Sequence, residues 1–165
     1  MTINFPKIIS IFSGYFLVIT IWTISSTLIY ALGTPAKSAL VFDHETSEMI
    51  LEKNPDIPIP PASMSKLMTL NMLFEALRQG QITLEDEFLV SRKASKKGGS
   101  KMFLREGEKV TIKDLILGII VLSGNDACIV AAEGLAGTEE EFSKRMTRRG
   151  KQLGLKNSTF KNSTG

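Results

Sequence analysis

The stretch Pro61-Ala62-Ser63-Met64-Ser65-Lys66 joins a loop to a helix and decides how the rest of the chain is interpreted. Residues 54–61 are rich in proline, so no helix can run through them. Residues 64–77 contain neither Gly nor Pro and are rich in Leu, Met and Ala, which favour helix, before Gly80 offers a stop. Ser63 is therefore expected at, or just inside, a helix N-terminus.

Ser63 and Lys66 place a hydroxyl and an amine three residues apart. Residues at this spacing share one face of a helix, so the Lys66 amine can approach the Ser63 hydroxyl without any long-range contact. The positive end of the helix dipole and burial against apolar neighbours both favour a neutral amine that can accept a proton. The pattern predicts a serine nucleophile with its own base, but it is also common as a helix cap beside a solvated lysine.

A second polar stretch, Ser123-Gly124-Asn125, separates two apolar runs, residues 115–122 and 127–135. This arrangement predicts a short turn between two buried helices. Such a turn needs glycine, but it does not need a serine and an asparagine as well. Ser123 and Asn125 therefore join Ser63 and Lys66 as candidate site residues.

With these two stretches and Gly99-Ser100-Lys101-Met102-Phe103-Leu104, the chain resembles the penicillin-recognising serine enzymes, and among them the low-molecular-mass D-alanyl-D-alanine carboxypeptidases. The resemblance runs over residues 37–165. It implies an α/β (α+β) fold of the β-lactamase and DD-peptidase (transpeptidase-like) type, of which this chain is the N-terminal part. We expect a helical subdomain and an incomplete antiparallel sheet, with strand, turn and strand followed mostly by helices.

The resemblance implies a serine-type carboxypeptidase that removes the terminal D-alanine from peptidoglycan stem peptides through an acyl-enzyme on Ser63. Lys66 would accept the proton of the nucleophile, and Ser123 would relay a proton to the leaving amine. Asn125 would hydrogen-bond the substrate backbone and hold Lys66 in place. β-Lactam antibiotics, which resemble the D-alanyl-D-alanine terminus, would acylate the same serine as covalent inhibitors.

One element of the resembled pattern is missing, because no Lys-Thr-Gly occurs in the 165 residues. In the family this element recognises the terminal carboxylate of the substrate. Two alternatives therefore stay open: a catalytically silent truncated fragment, or a β-lactamase relative, which the carboxypeptidase-like segments disfavour.

Other reactive groups offer weaker candidates. The single histidine, His44, lies between two apolar runs in a stretch with the composition of a hairpin turn. The single cysteine, Cys128, has apolar neighbours and is expected to be a buried small hydrophobe. No ligand spacing for zinc and no glycine-rich phosphate loop is present in the sequence, so we expect neither a metal nor a cofactor.

The N-terminal segment predicts export. Residues 8–36 contain no charged residue and no histidine, and Lys7 precedes them. A basic start, an apolar run and small residues at 31–36 are typical of a cleaved signal peptide, while the length of the run also suits an uncleaved membrane anchor. We divide the chain into a signal peptide or anchor at 1–36 and a catalytic portion at 37–165, located in the periplasm or on the outer face of the cytoplasmic membrane.

Charge does not indicate a nucleic-acid partner. The net charge of +3 comes partly from a basic stretch at 91–101, which lacks interleaved aromatic residues and is predicted to be a solvated loop. The acidic residues 139–141 follow Thr138 and precede Lys144 and Arg145. They predict a capped surface helix with charge pairs four residues apart.

Overall fold

The computed structural model describes residues 33–165, which belong to two compact units, one ending at Ile57 and one from Pro58 to Gly165. The described part of the first unit is an antiparallel hairpin of β1 (Ala39–Phe42) and β2 (Met49–Lys53). Its turn is held by the Asp43 side chain, which accepts hydrogen bonds from two backbone N–H groups at 2.9 Å. The predicted strand, turn and strand are confirmed.

The second unit is mainly helical. Its elements, in chain order, are a 3₁₀ turn (Ala62–Ser65), α1 (Lys66–Arg78), β3 (Glu87–Leu89), α2 (Arg92–Ser95), β4 (Lys109–Thr111), α3 (Ile112–Leu122), α4 (Asn125–Ala136) and α5 (Glu139–Gln152). Strands β3 and β4 pair antiparallel and form a second two-stranded sheet. Within residues 33–165 no helix is long and apolar enough to cross a membrane.

Helix α4 lies at the centre of the second unit. Its residues from Ala127 to Ala132 are all fully buried, and the helix packs against α1, α3, α5 and β3. Leu73 of α1 and Leu115 of α3 are also fully buried in the same core. Burying a side chain of this size stabilises a fold by about 1.5–3 kcal/mol. The core therefore fixes the ends of the helices from which the candidate site residues project.

The helix boundaries follow local signals. Helix α1 ends one residue before Gln79, and Gly80 follows with a left-handed φ of 66°, as its position in the sequence predicts. Helix α3 begins where the Thr111 hydroxyl accepts a hydrogen bond from the backbone of Asp114 at 3.1 Å. The polar stretch 123–125 separates α3 from α4, so the predicted turn between two helices is confirmed.

Two sequence predictions need correction. The basic stretch is not simply a solvated loop, because residues 92–95 form α2, which the Ser91 hydroxyl caps by accepting from the backbone of Ala94 at 3.0 Å. Helix α5 is capped by Thr138 as predicted, and Glu141 pairs with Arg145 four residues later. Glu139, however, is only 7% exposed, so it is not a surface residue. The predicted export segment lies outside the described residues, apart from its last four positions.

Candidate active site

Ser63 lies in the 3₁₀ turn that leads directly into α1. The turn is closed by the backbone of Met64, whose N–H donates to the Pro61 carbonyl at 3.2 Å. Ala62, immediately before Ser63, has a φ of 49°, which is uncommon for a residue with a Cβ. The turn leaves Ser63 exposed to solvent, and the predicted position at a helix N-terminus is confirmed.

The Lys66 side chain lies beneath this turn and is only 5% exposed. Its Nζ donates a hydrogen bond to Ser63 Oγ at 2.9 Å. The predicted approach of the amine to the hydroxyl is therefore confirmed, and the two atoms are close enough for direct proton transfer. A buried amine against an exposed hydroxyl suits a nucleophile that must meet a substrate from solvent.

Ser123, Gly124 and Asn125 form the turn between α3 and α4. Ser123 ends α3 in a left-handed conformation, with φ 53° and ψ 38°, and is partly buried. The backbone of Gly124 donates to the Gly118 carbonyl at 3.0 Å, which closes the end of α3. Helices α1 and α4, which carry the two motifs, pack against each other.

Asn125 is fastened to the loop at 98–104 instead of to Lys66. Its backbone N–H donates to the Ser100 carbonyl at 2.7 Å, and its side-chain Nδ2 donates to the Gly98 carbonyl at 2.9 Å. Among the described residues Asn125 forms no hydrogen bond with Lys66, and its implied role of holding Lys66 stays a prediction. The loop also packs closely against the Asn125 side-chain amide at Gly99. A Cβ added at Gly99 would lie 2.6 Å from Asn125 Nδ2.

Asp126 is a buried residue that the sequence reasoning did not single out. Its carboxylate is fully buried and accepts hydrogen bonds from the backbone of Met102 at 2.9 Å, Leu104 at 3.1 Å and Ala127 at 2.9 Å. It therefore ties the 98–104 loop to the start of α4. An acidic residue at the start of an otherwise apolar helix was the available signal, because such a charge stays buried only with several hydrogen-bond partners.

The same loop presents an aromatic side chain. Phe103 has a φ of 63° and is 79% exposed, and Lys101 Nζ lies 5.7 Å from its ring centroid, within cation–π range. Met102 and Leu104, on either side of Phe103, donate backbone hydrogen bonds to Asp126, which hold the backbone in this uncommon conformation. The Phe103 ring is therefore exposed on a loop, residues 98–104, that Asp126 holds in place.

The two other reactive side chains, His44 and Cys128, lie in different surroundings. His44 is exposed in the turn between β1 and β2, as predicted. Cys128 is fully buried in α4, and burial raises the pKa of its thiol to about 12. A thiol in this state stays protonated and unreactive near neutral pH. Within residues 33–165 no group of three or more Asp, Glu, His or Cys side chains lies together as a metal site would require.

Comparisons with known proteins agree with these features. The family model described as D-alanyl-D-alanine carboxypeptidase matches residues 27–165. The D-alanyl-D-alanine carboxypeptidase DacF of Bacillus subtilis is 44% identical over 134 residues, which are 81% of this chain and 34% of that protein. The chain thus spans about a third of the length of this curated relative.

Solved structures show the same fold. The D-alanyl-D-alanine carboxypeptidase DacD of Francisella tularensis superposes with a TM-score of 0.78 at 34% identity, covering 81% of this chain and 32% of that one. A penicillin-binding protein of Listeria monocytogenes in its ampicillin-bound form superposes with a TM-score of 0.71 at 27% identity, covering 82% of this chain and 54% of that one. The α+β fold class is confirmed, and the chain belongs to the D-alanyl-D-alanine carboxypeptidase family.

Proposed function

We propose that this chain carries the acylating part of a serine-type D-alanyl-D-alanine carboxypeptidase, with Ser63 as its nucleophile. The observation that supports this most directly is the 2.9 Å contact between the buried Lys66 amine and the exposed Ser63 hydroxyl. Serine becomes a useful nucleophile near neutral pH only beside a group that takes its proton. The membership of the chain in this family adds the substrate class, a peptide that ends in two D-alanines.

In the proposed reaction, Ser63 Oγ attacks the carbonyl carbon of the peptide bond between the two D-alanines. In this step Lys66 Nζ, which lies 2.9 Å from Ser63 Oγ, accepts the hydroxyl proton. The C–N bond breaks, and the proton held by Lys66 passes through Ser123 to the leaving amine of D-alanine. Water then attacks the acyl-enzyme ester, which releases the shortened peptide and returns the proton to Ser63.

Asn125 orients the substrate in this scheme. Its Nδ2 is engaged with the Gly98 carbonyl at 2.9 Å, which leaves Oδ1 as the acceptor that it offers to a backbone N–H of the stem peptide. Because the side chain is already held by the loop, little rotamer freedom is lost when the substrate binds. The contribution of Asn125 is therefore orientation of the peptide relative to Ser63.

β-Lactams are proposed as covalent inhibitors at the same serine. A relative of the same fold has been solved in its ampicillin-bound form. In the proposed reaction Ser63 Oγ attacks the lactam carbonyl, the ring C–N bond opens, and the ring nitrogen takes the proton. No amine leaves the site, since the ring nitrogen stays attached to the acyl group.

The compartment is also a proposal. The uncharged run at 8–36 and the preceding Lys7 suit a signal peptide or an N-terminal anchor, with the catalytic portion from residue 37 onward. The proposed substrate, peptidoglycan, lies outside the cytoplasm. We therefore place the catalytic portion in the periplasm or on the outer face of the cytoplasmic membrane, which protease protection in intact cells would test.

The experiment for the function measures D-alanine release from a peptide ending in L-lysyl-D-alanyl-D-alanine, with the full chain and with Ser63→Ala. The exposed Ser158→Ala is the matched control. We expect release that Ser63→Ala abolishes and Ser158→Ala retains. A folded chain that shows neither D-alanine release nor covalent penicillin labelling would support the catalytically silent fragment, and rapid turnover of the penicillin would support a β-lactamase.

A further inference from the structure

A short segment, Asn162–Gly165, is fastened into the second unit by buried hydrogen bonds. Ser163 is fully buried, and both its backbone N–H and its hydroxyl donate to Glu139 Oε1, at 3.1 and 2.8 Å. Its carbonyl accepts from the Thr69 hydroxyl at 2.8 Å. Thr69 lies on α1, three residues after Lys66, and is itself fully buried. The segment therefore joins the start of α5 to the helix that carries Lys66.

The two oxygens of the Glu139 carboxylate bind different partners. Its Oε2 pairs with Lys93 Nζ of α2 at 2.8 Å, while Oε1 takes the two Ser163 donors. Burial raises the pKa of Glu139, but hydrogen bonds from Lys93 and Ser163 lower it more, so the net pKa lies below its usual range. The hydrogen bond to Glu139, followed by that to Glu140, raises the pKa of Lys93. Both groups are therefore charged near neutral pH, where the pair is strongest.

The segment turns tightly within itself. The Asn162 side-chain oxygen accepts from the backbone of Thr164 at 2.9 Å and of Gly165 at 2.6 Å. This is the local turn that asparagine side chains favour. It directs Gly165, with a φ of 94°, against the Ser63 turn. A Cβ added at Gly165 would overlap the Ala62 carbonyl and lie 3.1 Å from Ser65 Cβ.

Gly165 contacts Ala62, the residue of the site with a strained backbone. Ala62 holds a φ of 49° directly before Ser63, a conformation that alanine rarely adopts. Such a residue persists only where the surrounding structure over-determines its conformation. The backbone of Gly165 abuts Ala62, and Ser163 is bonded to Thr69 one turn beyond Lys66. The segment therefore contacts both sides of the Ser63–Lys66 pair.

We propose that Glu139 is a positioning residue, which acts through the Asn162–Gly165 segment to hold the Ser63 turn in register with Lys66. The inference rests on the proposed function, because the property it affects is the rate at which Ser63 is acylated. Glu139 acts through Ser163, whose backbone and hydroxyl it fixes, and Ser163 in turn places Gly165 against Ala62. Loss of Glu139 therefore lets the turn relax while the Ser63 and Lys66 side chains remain present.

The test compares Glu139→Ala and Thr69→Val with Glu75→Gln in the full chain. Glu75 is the matched control because it also joins α1 to α5, through a 2.7 Å hydrogen bond from Arg149 Nε, but lies far along α1 from Lys66. Urea denaturation of each variant first establishes that the variant is folded in the absence of urea. The acylation rate constant and the pre-covalent dissociation constant are then separated with a fluorescent penicillin over a range of concentrations.

We expect Glu139→Ala and Thr69→Val to lower the acylation rate constant by about ten-fold or more, because small misplacements of a reacting group carry penalties of this size. We expect the pre-covalent dissociation constant of the penicillin to stay within about two-fold, because the interaction that is lost affects the transition state and not the binding of the penicillin. Glu139→Gln, whose amide oxygen still accepts from Ser163, recovers part of the rate. Glu75→Gln changes neither constant.

Hydrogen exchange at residues 62–66 separates failure of this inference from failure of the proposed function. If the unmodified chain is not acylated, the proposed function is wrong, and the exchange rates alone decide the positioning role. Faster exchange of these amides in Glu139→Ala and Thr69→Val, but not in Glu75→Gln, supports it. The inference is overturned if the folded Glu139→Ala chain keeps both the acylation rate and the exchange rates of the unmodified chain.

Discussion

The two halves of the candidate site are assembled in different ways. Ser63 and Lys66 lie three residues apart in one helical turn and meet at 2.9 Å. Asn125 is instead held by Gly98, 27 residues earlier, and its neighbour Asp126 is held by Met102, 24 residues earlier. The first half forms within one turn of helix, whereas the second half exists only after the 98–104 loop has closed onto α4.

The two halves of the site also have different proposed roles. The Ser63–Lys66 pair supplies the nucleophile and its base, whereas the Asn125 half orients the substrate. A contact between neighbouring residues on a helix needs no loop closure, whose entropic cost grows with the length of chain enclosed. The Ser63–Lys66 contact is therefore local, and the distant Asn162–Gly165 segment supports only the strained turn at Ala62 beside it. The Asn125 half depends on several backbone hydrogen bonds at once, so changes there should affect stability and substrate orientation more than the nucleophile itself.

The largest effect is expected from the local half. In Lys66→Met the amine is replaced by a thioether of similar length, so the base is lost while the buried volume is roughly kept. We expect the rate of penicillin acylation to fall by about 10²–10⁴-fold, the usual contribution of a positioned base. Stopped-flow or manual labelling with a fluorescent penicillin measures this rate, and an unchanged rate would remove Lys66 from the mechanism.

The second largest effect is expected at Asp126, in the non-local half. Asp126→Asn turns one buried acceptor oxygen into a donor that faces a backbone N–H group. Hydrogen bonds to a charged group contribute about 1.5–3 kcal/mol, so we expect the free energy of unfolding to fall by about 2–3 kcal/mol. Urea denaturation measures it. Asp114, an exposed acidic residue in the first turn of α3, offers the control: Asp114→Asn should cost less than about 1 kcal/mol.

The third effect tests the fit of the loop against Asn125. Gly99 has a φ of 83°, and a Cβ there would lie 2.6 Å from Asn125 Nδ2. Gly99→Ala is therefore expected to displace the amide and slow acylation by about ten-fold, as a small misplacement would. Gly107→Ala is matched for backbone strain, with a φ of 84° and no neighbour within 4 Å of the added Cβ. Equal rates in the two variants would count against the orienting role of Asn125.

The smallest effect is expected for the Cys128 thiol, which is buried in the core around α4. Burial raises the pKa of this thiol to about 12, so it should not react with Ellman's reagent in the folded chain near neutral pH. After unfolding in urea, full reaction is expected. Rapid modification without urea would show that the core around α4 opens readily, which would also weaken the account of the fastened loop.

The features predicted from sequence were those with local causes. The 123–125 interruption between α3 and α4, the hairpin at 39–53 and the Ser63–Lys66 contact all follow from spacing, glycine or proline within a few residues. Burial of Glu139 could not be predicted in this way, because it depends on Lys93 and on Ser163, 24 residues later. By local pattern Glu139 is one of three acidic residues at the start of a polar helix.

The observed partner of the Asn125 side chain also depends on a distant part of the chain. Its motif correctly indicated a turn between two helices, but the partner of the side chain depends on where the 98–104 loop lies. No periodicity in that loop predicts its path, since it is set by Asp126, a single buried carboxylate that binds the backbone on both sides of Phe103. The local sequence pattern around Asn125 therefore predicted its secondary-structure element, but not the hydrogen-bond partner of its side chain.

The most direct test of the central claim is the intact mass of the folded chain after incubation with benzylpenicillin at neutral pH, followed by peptide mapping. We expect a mass increase equal to one penicillin, located on Ser63 and absent from Ser63→Ala. A folded chain that gains no mass, or that carries the adduct on another residue, would contradict the proposal that the Ser63–Lys66 pair is an acylating nucleophile.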